Sequence, residues 1–206
     1  MTRLLPGIIA MAAIVLASNI LVQFPLGEWL TWGALTYPFA FLTTDLVNRI
    51  QGADAARKVV LAGFVTGVIC SLIGTQIQGE FGPLVTFRIA LGSGTAFLVS
   101  QMIDVAIFTL LIGRVWWQAP LVSTLVSSSL DTVIFFSLAF AARFAFLEPA
   151  NDTSWATGAV PLLGMGAEMP YWASLALADW CVKIVLALAA LVPFRIIVEK
   201  VIARVA

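Results

Sequence analysis

The chain has 206 residues, 61% of them hydrophobic and 11% charged, with a mean hydropathy of +1.03 and a formal net charge of zero. That balance excludes an ordinary soluble domain, and without a basic surface or an acidic tail nothing argues for nucleic acid or for a basic partner. Histidine is absent, which removes the commonest metal ligand and general base. Cys70 and Cys181 sit in apolar segments without CxxC spacing, so no zinc site, disulfide framework or cofactor is expected.

Apolar runs of about 20 residues, each long enough to cross about 30 Å of hydrocarbon as a helix, predict an all-α polytopic membrane protein. Six transmembrane helices are expected at roughly 4–24, 29–48, 59–77, 88–112, 120–146 and 170–196, forming a single domain over 1–206. The first run, LLPGIIAMAAIVLASNILVQF, exceeds the apolar core of a typical signal peptide and reads as a retained helix. In it Asn19 and Gln23 lie one turn apart on one face, where they either bond a neighbouring helix or line a site. The second ends in TYPFAFLTTDLVNR, with Tyr37, Phe41, Thr44, Asp45 and Asn48 on one face and Pro38 placed to bend the helix. Asp45 is either an interfacial partner of Arg49 or Arg57 or part of a cytoplasmic gate. In the third, Gly63, Gly67 and Ser71 read as a close helix contact.

The fourth and fifth runs repeat one arrangement, SQMIDVAIF around Asp104 and SSSLDTVIFF around Asp131. An aspartate at a helix centre costs about 2.5–3.5 kcal/mol on the insertion scale, so intramembrane carboxylates point to function by default. Ser93, Phe97, Ser100, Gln101, Asp104 and Phe108 share one helical face, and Thr124, Ser127, Ser128, Asp131 and Phe135 share another. Each face flanks a carboxylate with polar groups and an aromatic, a set that hydrogen-bonds and stacks on a flat polar ligand. Asp104, Asp131 and Lys183 of the sixth run should lie at similar depth, roughly 15–18 Å from the cytoplasmic edge. There Lys183 can offset one charge, and two approaching carboxylates can hold a single proton. Asp179 and Lys183, one turn apart, form either a local ion pair or a ligand contact. The competing reading of all these groups is helix packing alone.

Near the span ends, Arg3, Arg49, Arg57, Lys58, Arg114, Arg195, Lys200 and Arg204 gather on one side and only Arg88 and Arg143 on the other. The positive-inside rule then places both termini in the cytoplasm. Trp29, Trp32, Trp116, Trp117, Trp155 and Trp172 fall near the interfaces. Phosphate-loop, HExxH and GxSxG motifs are all missing, so the chain does not read as an enzyme.

The segment TYPFAFLTTDLVNRIQGADAARKVVLAGF, followed by SQMIDVAIF, SSSLDTVIFF and ADWCVKIVLALAALVPFRII, resembles the ordered signature of the VUT family of queuosine precursor transporters. The likeness covers the second to sixth runs. Two departures stand out: VNRIQG occupies a stretch that usually carries an acidic residue, and Ser129 stands where glutamine is common.

The resemblance implies a six-helix, multi-pass protein of the cell inner membrane. It would import 7-cyano-7-deazaguanine or 7-aminomethyl-7-deazaguanine for tRNA modification. The ring chemistry of such a base matches the polar faces. Asp104 and Asp131 would accept ring N–H groups, with Gln101, Ser100 and Ser128 as polar partners. Phe97, Phe108 and Phe135 would stack, and Lys183 would donate to the carbonyl or tune the carboxylates. Asp45, Tyr37, Asn48, Asn19 and Asp179 are the gate or secondary candidates.

The expected partners are a small nucleobase and the lipid bilayer, with a homo-oligomer or an ATPase module left open. One rival reading is the substrate-binding subunit of an energy-coupling-factor type vitamin importer, for which Ala13 and Ala17 offer a helix-docking patch. The other is a membrane scaffold or assembly factor without substrate.

Overall fold

A computed structural model describes residues 4–80 and 82–203; Arg3 and Arg204 of the basic count lie outside them. The order is α1 (Leu5–Leu21), a β1/β2 hairpin (Pro25–Leu26, Leu30–Thr31), α2 (Gly33–Thr36), α3 (Phe39–Gln51), α4 (Ala53–Gly74) and a β3/β4 hairpin (Gln78–Gly79, Gly82–Pro83). Then come α5 (Phe87–Leu111), α6 (Gln118–Phe140), a 3-10 turn (Ala142–Leu147), α7 (Ser154–Thr157), a β5/β6 hairpin (Ala159–Pro161, Glu168–Pro170) and α8 (Tyr171–Ala203). Each hairpin is a two-stranded antiparallel ribbon, so the chain is mostly helical rather than all-α. Among the described residues four helices, α4, α5, α6 and α8, are long and apolar enough to cross a membrane, and α1 is a shorter apolar helix.

The second expected helix is broken. Its first residues form strand β2, and α2 and α3 are separated at Tyr37 and Pro38, because Pro38 has no amide hydrogen to continue the ladder. The connection to the next helix contracts to Gly52, whose φ of +89° turns the chain while its amide bonds the Asn48 carbonyl. α4 therefore starts six residues earlier than the 59 expected. The fifth expected helix stops at Phe140, not 146. Here the Arg88 guanidinium captures two carbonyls, with Nε to Leu138 O at 3.0 Å and Nη2 to Ala141 O at 2.8 Å, and Ala141 turns extended.

The same corner caps α5. Thr86 accepts from the Ile89 amide at 3.3 Å, while the two Glu148 oxygens accept from the Phe87 and Arg88 amides at 3.0 Å each. A carboxylate at a helix N-terminus satisfies orphan donors and complements the dipole, and it pins the long connection back onto the bundle.

The antiparallel pair α5 and α6 forms the most extensive helix contact. A Cβ on Gly92 would stand 3.3 Å from the Phe135 carbonyl, so a side chain there would push the two helices apart. On the other flank, Gly63 has no room for a Cβ because Met11 Cγ and Phe97 Cζ would lie 2.6 and 2.8 Å away. The small-residue stripe thus seats α4 on α1 and α5, around a core of Met11, Val15, Ala40, Val47, Val59, Val60, Phe97 and Val105. Leu72 of α4 and Val185 and Val192 of α8 are more than half exposed, as expected of side chains that face lipid.

Candidate functional site

A cavity of about 480 Å³ opens at the hairpin end of the bundle, within the usual range for small-molecule sites. Its rim comes from the loops: Gln23, Glu28, Trp29 and Leu30 around the first hairpin, Leu84 and Val85 before α5, and Trp155 and Tyr171 from the long connection. Tyr171 ties these pieces together, with its hydroxyl donating to the Glu28 carbonyl at 2.9 Å and its ring 5.5 Å from Trp29 and 6.2 Å from Trp155. Below the rim, Phe135, Phe136 and Phe140 of α6 stack edge-on or tilted and carry the aromatic wall to Trp155. Such rings offer faces to a planar ligand at low entropic cost.

The floor is charged. Lys183 Nζ lies 2.7 Å from Asp131 Oδ2 and 2.6 Å from Asp179 Oδ2, and donates to Thr132 Oγ1 at 2.9 Å. Thr132 in turn donates to Asp179 Oδ2 at 3.0 Å. Asp131 Oδ1 accepts from the Tyr37 hydroxyl at 3.0 Å and the Ser100 hydroxyl at 3.3 Å. Asp131 is therefore filled by protein donors. Asp179 is not: among the described residues no donor reaches its Oδ1, and the side chain borders the cavity. Tyr37 sits at the junction of α2 and α3, its amide still bonded to the Gly33 carbonyl at 3.0 Å, and its side chain reaches across to α6.

Of the residues singled out in the sequence, Asn19, Tyr37, Asp131, Phe135, Asp179 and Lys183 line the cavity. Gln23, Trp29, Ser71, Ser93 and Trp155, read in the sequence as helix-contact, helix-face or interfacial residues, line it too, whereas the remaining substrate and gate candidates lie outside it. Phe97 sits in the core with its ring 6.2 Å from Tyr37, and Phe108 packs edge-on against Phe194 at 6.0 Å in a cluster near the basic end. Ser100 supports Asp131 from behind, Gln101 Oε1 accepts from Thr44 at 2.6 Å, and Ser128 turns back to the Leu125 carbonyl at 3.4 Å. Asn48 donates to Val105 O and Thr109 Oγ1, both at 3.2 Å, and joins α3 to α5.

The two matched aspartates do not share one site. In the antiparallel register of α5 and α6, Asp104 faces Ser127 at 2.9 Å and Asp131 faces Ser100, so each carboxylate meets a serine of the other helix. Asp104 instead lies beside Asp45, between the Thr44–Gln101 and Asn48–Val105 hydrogen bonds that join α3 to α5. Nor is Asp45 an interfacial partner of arginine. It is 2% exposed and bonded by Ser123 at 3.5 Å and Thr124 at 3.4 Å, while Arg57 pairs with its own neighbour Asp54 at 2.8 Å.

Sequence reasoning missed the part of the wall built by Trp29, Phe136, Phe140, Trp155 and Tyr171. Their signal was present as aromatic density near the span ends, but it reads equally as interfacial anchoring.

A multi-pass helical membrane protein with an open, aromatic-walled cavity above a buried ion-pair floor is of the transporter class. Residues 31–198 match the family described as "Putative vitamin uptake transporter", and the chain belongs to that family. It is 35% identical over 196 residues to the "Queuosine precursor transporter" of Escherichia coli (strain K12), covering 87% of this chain and 79% of that one. It is likewise 35% identical over 169 residues to the "Probable queuosine precursor transporter" of Haemophilus influenzae, with 69% and 71% covered. The protein of the same description from Bacillus subtilis (strain 168) is 34% identical over 130 residues, covering 53% and 56%. No solved structure matches the chain.

Proposed function

We propose that this chain imports a queuosine precursor, the 7-cyano or 7-aminomethyl 7-deazaguanine base, across the cell inner membrane. The observation that carries the reading is the pairing of its relatives' activity with a cavity built for a flat, donor-rich base. A deazaguanine presents adjacent N–H donors along one edge, and the open Asp179 Oδ1 above an otherwise saturated floor is an acceptor held ready for them. Phe135, Phe136 and Trp155 supply the stacking faces, and Asn19 borders the same space. Lys183 positions both carboxylates.

In this proposal the chain forms one domain with six membrane passes, α1, α2 with α3, α4, α5, α6 and α8. Both termini are cytoplasmic, and the cavity faces the opposite side. The charge bias supports that orientation. Arg49, Arg57, Lys58, Arg114, Arg195 and Lys200 are exposed at one end, whereas Arg88 at the other end is fully buried and leaves Arg143 as the exposed cation there.

The test is the queuosine content of tRNA in a bacterium that neither makes nor imports the precursor, fed either base at nanomolar concentration. Wild type restores queuosine, and Asp179→Asn at matched membrane level restores it poorly. A well-expressed wild type that leaves tRNA unmodified with both bases refutes the proposal.

A further inference from the structure

Between the cavity floor and the basic end of the bundle lies a second buried polar centre that the substrate reading leaves unused. Asp45 of α3 and Asp104 of α5 are 2% and 0% exposed, and the bonds from Thr44 to Gln101 and from Asn48 to the Val105 carbonyl, on either side of them, hold the two residues side by side between the helices. The donors around them are few. Ser123 and Thr124 of α6 reach Asp45 only at 3.5 and 3.4 Å, Ser127 reaches Asp104 Oδ1 at 2.9 Å, and Asp104 Oδ2 is buried with no partner among the described residues.

Among the described residues neither carboxyl forms an ion pair. Lys183 of α8 is held by Asp131 and Asp179, Arg49 of α3 is exposed, and so are Arg57 and Lys58 of α4 and Arg195 and Lys200 of α8. α8 faces the recess beside Asp45 with Ala187, Ala190, Leu191 and Phe194. Close in sequence lie Thr44, Asn48 and Ser100, each hydrogen-bonded elsewhere, and Gln101, a turn before Asp104, whose Nε2 is buried without a partner among the described residues; an amide donor there disfavours a metal cation.

Two neighbouring buried carboxylates with no cation paired to either among the described residues cannot both stay charged. One proton resolves the arrangement, because it turns one carboxyl into a donor and gives Asp104 Oδ2 the bond it lacks. Asp45 also borders a recess of about 10 Å³ with Thr124 and Phe194, roughly the space of one water, about one helical turn from Arg49 at the basic end. On the other side, the α6 row Ser123, Ser127, Asp131 leads one turn at a time to the cavity floor.

We propose that Asp45 and Asp104 form a proton-carrying dyad that couples substrate movement through the cavity to the proton gradient. Loading forms one O–H bond on a carboxylate oxygen with a proton taken from hydronium on the cavity side. Release breaks that bond and returns the proton to water on the basic side. The inference rests on the transport reading, and two readouts keep the two apart.

The first readout needs no substrate: infrared spectroscopy of the protein in lipid at neutral pH. It should show a protonated-carboxyl C=O band that disappears in Asp45→Asn and in Asp104→Asn, and wild type without that band overturns the dyad. The second uses proteoliposomes and labelled 7-cyano-7-deazaguanine. Net accumulation by wild type should rise by up to about tenfold per unit of imposed pH gradient for one-to-one coupling, and Asp104→Asn should keep counterflow exchange while losing the gradient response. Accumulation that ignores the pH gradient, or follows a sodium gradient instead, overturns the coupling even where exchange is intact. Absence of exchange in wild type defeats the transport reading and the coupling together, and the infrared band then marks a dyad of structural use.

Discussion

Replacing Lys183 by methionine keeps most of the side-chain volume and removes the only cation that lines the cavity floor among the described residues. Its Nζ stands 2.7 Å from Asp131 and 2.6 Å from Asp179, with side-chain exposures of 4%, 5% and 16% for the three residues. At an effective dielectric of about 20, each contact is worth roughly 6 kcal/mol of Coulomb energy, most of which is offset by the cost of desolvating the ions. The net loss on breaking such a buried set from one side is about 3–5 kcal/mol, because two carboxylates are left without a counter-charge. For a chain of this size that is a fall of the order of 10 °C in the thermal midpoint, measurable as loss of the monodisperse peak in detergent after heating. Adding Asp131→Asn to Lys183→Met should return part of the loss, since one stranded charge is gone. If Lys183→Met melts like wild type, or the double variant is less stable than Lys183→Met alone, the floor is not held by its ion pairs and the reasoning fails.

Phe135→Leu should weaken binding of the labelled base by roughly 5- to 100-fold, the range of one base-stacking contact, whereas Phe108→Leu should lower stability and leave affinity unchanged; equilibrium dialysis on detergent-solubilised protein separates the two. Arg88→Met strands the Leu138 and Ala141 carbonyls and should cost about 3 kcal/mol or more, read as a lower thermal midpoint and faster proteolysis of the 141–170 connection. Gly33→Ala would place a Cβ 2.9 Å from the Val22 backbone. Backbone cannot yield as a side-chain tip does, so a loss of about 1–3 kcal/mol is expected, together with reduced base binding as the first hairpin shifts from the rim.

How much of this was legible beforehand differs by residue. Asp131, Lys183, Phe135, Tyr37, Asn19 and Asp179 could be picked as site candidates because a charged, amide or aromatic group on an apolar helix is conspicuous at any register. Asp104 and Asp131 looked equivalent for the same reason, since both are flanked by serines and a phenylalanine in matching order. Their different fates follow from antiparallel pairing. Each aspartate is carried to the other helix's serine, after which Asp131 meets α8 and Asp104 meets α3.

The sequence by itself determined the membrane setting, because the hydrophobic effect acts on each run of residues separately and a run of about 20 apolar residues needs no partner to declare itself. It also determined the break at Pro38 and the close approach at Gly63, which are local consequences of a missing amide hydrogen and a missing Cβ. Only the tertiary structure decided which buried carboxylate lines the cavity, which one faces a second carboxylate, and which aromatics form the wall. Those outcomes depend on the relative rotation and register of helices far apart in the chain, a choice made by the summed packing of the whole bundle.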